Sequence, residues 1–393
     1  MVVRVYLKQA WNLMKQNPLF STLYIVGTGI SIVMTMVIAI VYYVRLAPVY
    51  PETNRMRTLV VKSAKMTNDE STHSSNISYA MLKDWFYSLE SAEVSTGVSG
   101  TSYARVTNDK EEIPTYARYT DENFFRVFPL VFLEGKPFTE ADRRSGIHNV
   151  VLTDSYAQQL FGTTKGVVGK NFLMDYTNVK VVGVVKSGSF LTPDSYAQVY
   201  LPYSCRDGYD DERSHWALGG YRVYILMKES KSVTDVQDEV LELVRKFNVS
   251  DMGDGWKLDL VGQPELYWHS TFRLRNNVDV DWGRVIWMFV GIFMVLLFVP
   301  AFNLSGMISA RMERQLPDLG IRKAFGASRR RLLVQIIWEN LLLTGLGTLL
   351  GLVIAWIVLA LSGYEIFSLF EVFPKFPPKG VNLGMGIDMF LLR

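Results

Sequence analysis

Residues 311–331, RMERQLPDLGIRKAFGASRRR, decide how the rest of the chain is read. They lie between two long apolar runs, 285–310 and 332–361, and carry seven basic residues (Arg311, Arg314, Arg322, Lys323, Arg329, Arg330, Arg331) against two acids, Glu313 and Asp318. A short loop between membrane spans is oriented by its Lys/Arg excess, which puts this one on the cytoplasmic side. Pro317 is expected to stop a continuous helix, Gly320 and Gly326 bracket Ile321, Arg322, Lys323, Ala324 and Phe325, and Ser328 is placed to cap a following helix. Ile321, Ala324 and Phe325 stand at i, i+3 and i+4 and share one face, while Arg322 and Lys323 point elsewhere. Such a turn reads either as a docking knob offered to the cytosol or as topology-setting charge lying on anionic lipid, and spacing leaves both open.

Working outward, residues 19–44 give 26 positions without a charge, about 39 Å of helix at the usual rise and enough to span a bilayer. The run is too long for a signal peptide and no small-residue cleavage site closes it, so an uncleaved anchor is expected. Before it, residues 2–17 carry Arg4, Lys8 and Lys15 with no acid, and Val3, Leu7, Ala10, Trp11 and Met14 recur at helical spacing. That is an amphipathic helix on the cytoplasmic membrane surface. If the first span crosses outward and the basic loop is inside, residues 45–283 lie outside.

Within that outer region, strand signals at 58–61, 94–98, 221–227 and 257–261 and helix signals at 79–89 and 233–247 form two flanking arms. Between them, 113–119, 149–153, 179–185 and 198–201 read as strands, and 121–128 and 154–161 as short helices, the second closed by Gly162. The expected fold class is therefore a membrane protein with α-helical transmembrane spans and an α+β two-lobed extracytoplasmic domain. The expected layout is an amphipathic helix (1–18), a first span (19–44) and the outer domain (45–283). The membrane-proximal lobe of that domain covers about 55–100 and 216–265, with a β-rich lobe, about 101–215, inserted. A second span (284–310), the coupling loop (311–331), a third span (332–361) and an exterior loop (362–382) follow. The ten apolar residues from 383 are too few to cross a bilayer, so 383–393 is expected to be the start of a truncated fourth helix.

Composition narrows the function classes. With 393 residues, 49% hydrophobic, 20% charged and a net charge of +3, the chain has neither a nucleic-acid-binding nor a disordered profile. The single cysteine, Cys205, allows no intramolecular disulfide, and four histidines (His73, His148, His215, His269) lack metal-ligand spacing. A phosphate loop suggested at 162–171 fails, because Thr164 stands where the leading glycine belongs and Asn171 replaces the Ser/Thr. No nucleophile, base and orienting acid stand together, so no enzyme and no cofactor are expected of this chain. Pro300 is a candidate helix kink or hinge. Gly347 and Gly351 offer a flat face, either to a second subunit or to another span of the same chain.

The segment LPDLGIRKAFGASRRRLLVQIIWENLLLT resembles the stretch joining the second and third transmembrane helices of MacB/FtsX-type ABC transporter permeases. NFFRVFPLVFLEGKPFT, VVLTDSYAQQLFG, VVGK, KVVGVV and VYLP resemble the extracytoplasmic domain of the same family, so the likeness covers nearly the whole chain. The resemblance implies that Ile321, Arg322, Lys323, Ala324, Phe325 and Gly326 engage a separate cytoplasmic ABC ATPase, with ATP bound on that partner. It also implies a second permease subunit, alike or related, and an extracytoplasmic partner or substrate. The chain then sits in the cell inner membrane as a multi-pass protein with its large domain in the periplasm, transmitting movement outward for export or release of a substrate or control of a partner. The competing reading is a ligand-sensing membrane receptor signalling to a cytoplasmic kinase. A sensor would continue from its last span into a long signalling helix, where this chain has a compact basic turn between two spans.

Overall fold

The computed structural model describes residues 18–368 other than 101, 109–110, 190–191, 207, 210–216, 251–254 and 327, together with residues 11 and 15. The described residues fall into two compact units, one drawn from residues up to 43 and from 282 to 368, the other spanning 44–281.

The first unit is helical. Its three long helices are Pro18–Leu46, Trp282–Ala324 and Arg329–Ser368. Two segments among the described residues are long and apolar enough to cross a membrane, Ser21–Leu46 and Leu332–Leu361, and Trp282–Phe298 is a shorter apolar one. The expectation that Pro317 stops a helix is corrected: the Trp282–Ala324 helix runs for 43 residues through both Pro300 and Pro317. A proline inside a helix removes one N–H from the ladder, and here the helix continues past each. Of the amphipathic helix expected over 1–18, residues 11, 15 and 18 are described and helical. Residues 362–368 continue the last helix, while the rest of the expected exterior loop and all of 383–393 lie outside the described residues.

The second unit is built on two sheets. The chain enters the first sheet with β1 (Thr58–Val61), β2 (Ala64–Thr67), β3 (Thr72–Ile77) and β4 (Ala92–Ser99). It then forms the second sheet from β5 (Ser102–Asn108), β6 (Glu111–Thr120), β7 (Phe132–Gly135), β8 (Asn149–Thr153), β9 (Asn171–Met174), β10 (Thr177–Val185) and β11 (Val199–Pro202). It returns to the first sheet with β12 (Leu218–Gly219), β13 (Tyr221–Met227), β14 (Lys257–Asp259) and β15 (Glu265–Leu266).

In the first sheet β13 is central, paired antiparallel with β1 on one edge and with β4 on the other. Its alternation divides two cores. Tyr221, Val223 and Ile225 face a core completed by Leu82, Phe86 and, from the Val233–Val249 helix, Val236, Val240 and Phe247. Tyr224 and Leu226 face the opposite core with Phe124, Phe125, Phe128 and Tyr200. Ser232 and Asp235 form a capping box at the Val233–Val249 helix, and β-branched residues dominate β1, β8 and β10.

The second sheet closes on itself. β10 pairs with both β8 and β9, β9 with β5, β5 with β6, β6 with β11, and β11 with β8, a complete ring of six strands. Ala104, Val106, Val150, Leu152, Phe172 and Val181 fill its interior.

Asp121, at the end of β6, joins this barrel to the first sheet. Its carboxylate accepts from Thr96 Oγ1 at 2.7 Å, Gly97 N at 2.9 Å, Tyr87 Oη at 2.5 Å and Phe124 N at 3.1 Å. Burial pushes the carboxyl up to about 6, opposed by the hydrogen bonds from Tyr87, Gly97 and Thr96. Asp121→Ala removes the acceptor that four donors share in a buried junction, stranding Gly97 N, and is expected to lower unfolding free energy by about 3 kcal/mol. Urea unfolding of the full chain followed by circular dichroism measures it, and a loss under about 1 kcal/mol would contradict this account.

Candidate functional site

The basic turn is the end of one long helix and the start of another. Phe325 N donates to Ile321 O at 3.0 Å and Gly326 N to Lys323 O at 3.0 Å, closing the Trp282–Ala324 helix. Gly326 then adopts φ +87, a left-handed conformation that glycine takes without penalty. Ser328 follows, its carbonyl accepting from Leu332 N at 3.3 Å as the next helix begins at Arg329. Ile321, Ala324 and Phe325 are therefore the last turn of a 43-residue helix, not a separate short one. Phe325 is 88% exposed and Ile321 57% exposed, and Lys323, Ala324 and Gly326 are exposed with them. Arg322 and Pro300 are helical in backbone, and their side chains lie outside the description. An apolar pair this open, one turn apart, has no packing role within the described residues.

Gly347 and Gly351 face the first helix of the same chain. A Cβ at Gly347 would lie 2.8 Å from Thr28 Cβ and 2.9 Å from Ile25 O; one at Gly351 would lie 2.7 Å from Gly29 O and 2.8 Å from Ile32 Cβ. One turn away Tyr24 Oη and Thr344 Oγ1 are 3.0 Å apart. The flat face that the sequence offered either to a second subunit or to another span is filled by Thr28, Gly29 and Ile32.

Sequence reasoning missed a third group, buried in the α+β unit. Arg55, 2% exposed, donates through Nη1 to the carbonyls of Val44 at 2.5 Å and Ala47 at 2.7 Å, where the first helix ends and its last carbonyls lack intrahelical partners. Its Nε and Nη2 grip Glu52 Oε2 at 2.9 and 2.6 Å. The other oxygen of Glu52 accepts from Ser195 N at 3.1 Å and Ser195 Oγ at 2.8 Å. Next along the chain, Asp194 accepts Lys62 Nζ of the segment after β1 at 3.1 Å and Arg222 Nη1 of β13 at 3.0 Å. Arg118 of β6 donates to the carbonyls of Pro193 and Tyr196 at 2.6 and 3.1 Å. One loop of the barrel, Pro193 to Tyr196, is thus held by the helix end, the first sheet and the barrel wall together. Only the Glu52/Arg55 pair, three residues apart, carried any local signal in the sequence.

Burial penalises the charge on Asp194, yet Lys62, Arg222 and Arg118 hold its carboxyl well below the usual carboxylate range. Among the described residues no group of three or more His, Cys, Asp or Glu is arranged to hold a metal ion.

Residues 20–243 match the family model of the MacB-like periplasmic core domain, and residues 287–392 that of the FtsX-like permease C-terminal region. The pyoverdine export ATP-binding/permease protein PvdT of Pseudomonas entomophila (strain L48) is 25% identical over 237 residues, which cover 59% of this chain and 34% of PvdT. The macrolide export ATP-binding/permease protein MacB of Sodalis glossinidius is 22% identical over 260 residues, 64% of this chain and 36% of MacB. The chain spans about a third of the length of these relatives. The crystal structure of the periplasmic region of MacB from Actinobacillus actinomycetemcomitans aligns at 17% identity with a TM-score of 0.36, covering 50% of this chain and 88% of that one.

Two tests follow from the packing. Gly351→Val places methyl groups against the Gly29 carbonyl and is expected to lower the thermal unfolding midpoint of the detergent-solubilised chain, with an unchanged midpoint contradicting the close crossing. Asp194→Asn is expected to cost about 3 kcal/mol at neutral pH by leaving Lys62 and Arg222 without their carboxylate. Because the folded carboxyl is held below its unfolded value of about 3.9, the wild-type advantage is full above that pH and is lost as pH falls below it. Urea titrations of both proteins should therefore converge in acid, and a difference that stays constant with pH would refute the assignment.

Proposed function

Because the chain belongs to the family of MacB-like, FtsX-like ABC transporter permeases, membrane-embedded proteins with a periplasmic domain, we propose that it is a non-catalytic permease subunit driven by a separate cytoplasmic ABC ATPase. The observation that carries the reading is the exposed Ile321/Phe325 pair at the tip of an unbroken helix. The ATPase takes that pair in an apolar cleft, and Arg322 and Lys323 meet acidic groups around it. ATP binds on the partner, and closure of the ATPase dimer displaces the turn. A 43-residue helix is about 65 Å long, so a displacement at its tip is carried along its length rather than absorbed locally.

A second line of support is the hold on the first helix. Arg55 and Glu52 tie the carbonyls of Val44 and Ala47 to Ser195 inside the α+β unit, so in this reading movement of the segment where the chain enters that unit reaches the barrel through a buried, charge-assisted connection. The subunit works in the inner membrane, multi-pass, with the large domain in the periplasm and a second permease subunit beside it. Relatives named for pyoverdine and macrolide export support export of a substrate from the outer side of the membrane.

The test is affinity purification of the protein from its native host in detergent, beside Phe325→Asp, with partners identified by mass spectrometry. An ATPase carrying a phosphate-loop motif is expected with the wild type and lost from the variant by about tenfold or more, while both proteins remain in the membrane. Equal recovery of the ATPase with the variant, or recovery of a kinase instead, would sink the proposal.

A further inference from the structure

Residues 272–281, FRLRNNVDVD, connect the Tyr267–Ser270 helical turn to the long helix that begins at Trp282, and their side chains are placed inside out. A loop closing a folded domain ordinarily turns its apolar side chains inward and its charges to water. Here the Arg273 side chain is 1% exposed, while Leu274 is 73% and Val278 48% exposed. The arrangement is braced from within. Arg273 Nη1 donates to Val278 O at 2.7 Å, its Nη2 donates to Val261 O at 2.8 Å, and its Nε grips Glu265. Val278 N donates to Arg275 O at 3.1 Å, closing a turn that begins just after Leu274 and ends at Val278. Asp279 packs on Gly262, where a Cβ would lie 3.0 Å from its Oδ1, and its carboxylate is engaged by Val280 N and Arg273. A guanidinium is thus buried to hold two apolar side chains and the exposed Arg275 outward.

What covers such a loop follows from where the chain goes next. Val278 is four residues from Trp282, so its Cα lies at most about 14 Å from the start of the Trp282–Ala324 helix. The apolar stretch Trp282–Phe298 opens with Trp282, Arg284 and Trp287, the residue types that gather where a span meets the lipid headgroups. The bilayer surface is within reach of the loop, and Arg275 beside Leu274 complements a lipid phosphate over acyl chains. We infer that the loop braced by Arg273 inserts Leu274 and Val278 into the bilayer leaflet next to the 44–281 domain, with Arg275 on lipid phosphate, so that the domain rests on the membrane as well as being joined to its helices. The inference rests on the membrane placement of the chain and is independent of ATPase docking at Phe325.

The test places a nitroxide at Leu274→Cys, and separately at Val278→Cys, in the full chain carrying Cys205→Ser, reconstituted in vesicles of phosphatidylethanolamine and phosphatidylglycerol. Collisions are measured with oxygen, which concentrates in the bilayer, and with a nickel chelate, which stays in water. Frequent collisions with oxygen and few with the chelate are expected at both sites, corresponding to a depth of about 5–10 Å below the phosphates. A nitroxide at Leu349→Cys, exposed on the Leu332–Leu361 apolar helix, is the reference for immersion. Chelate-dominated collisions at position 274 or 278 with an immersed reference would overturn the inference and leave the membrane placement standing. Protection from both probes at either position would assign the loop to a protein contact, such as a second permease subunit, and overturn it as well. A water-exposed reference would overturn the membrane placement and the inference with it.

Discussion

A buried Glu52 carboxylate shared between Arg55 and Ser195 is the interaction on which the outer domain depends. Taking two charges out of water is costly, and the pair persists because each of its nitrogens and oxygens has a partner: Arg55 also serves the carbonyls of Val44 and Ala47, and Glu52 takes the backbone and hydroxyl of Ser195. Replacing either partner would strand the other in a dry interior. The adjacent Asp194 repeats the arrangement with Lys62 and Arg222, so two consecutive residues of one barrel loop are fixed from three directions. Such a cluster specifies geometry more than it adds stability, because apolar packing of equal volume would hold the lobes together without fixing their register.

That specificity matters for a domain expected to pass on movement. The first sheet is a layered platform with cores on both faces of β13, and the barrel is a closed ring with a core of its own. Interiors packed in this way deform little. Motion entering at one point must therefore leave through discrete contacts, among them Asp121 against β4, Thr120 and Asn123 against the carbonyls of Gly97 and Ser95, and the Glu52 to Asp194 cluster. The helical unit follows the same logic at Gly29, Gly347 and Gly351, where the lack of side chains lets two helices approach backbone to backbone.

Much of this architecture was legible in the chain. Thr58–Val61, Asn149–Thr153 and Tyr221–Met227 are apolar, largely β-branched runs and form strands at those bounds. The apolar spacing over 233–247 gives the Val233–Val249 helix, and Gly162 closes the Asp154–Phe161 helix in a left-handed conformation. β2 and β3 were not foreseen, since AKMT is only four residues long and THSSNI is largely polar; they are strands because they pair with each other and with β14, β12 and β13. The helix expected over 121–128 shrinks to Phe124–Val127 because Asp121 turns its carboxylate to Thr96 and Gly97 as well as to Phe124 N. Pro317 misled because a proline costs a long helix one hydrogen bond, and the turn falls instead at Gly326. That Ile321 and Phe325 share a face follows from their spacing, whereas their exposure is read from the structure. The Glu52 to Ser195 contact joins residues 143 apart, and no pattern in a single sequence points to it.

The central claim is that movement at the cytoplasmic turn reaches the barrel through Glu52 and Ser195. The direct measurement is the distance distribution between spin labels at Tyr176, the exposed turn of the β9–β10 hairpin, in paired permeases reconstituted with their ATPase in a Cys205→Ser background. The account predicts that ATP binding shifts this distribution in the otherwise wild-type protein, and that Glu52→Gln combined with Ser195→Ala abolishes the shift while ATPase binding persists. An ATP-dependent shift that survives the double substitution, or no shift in the wild type, would contradict it.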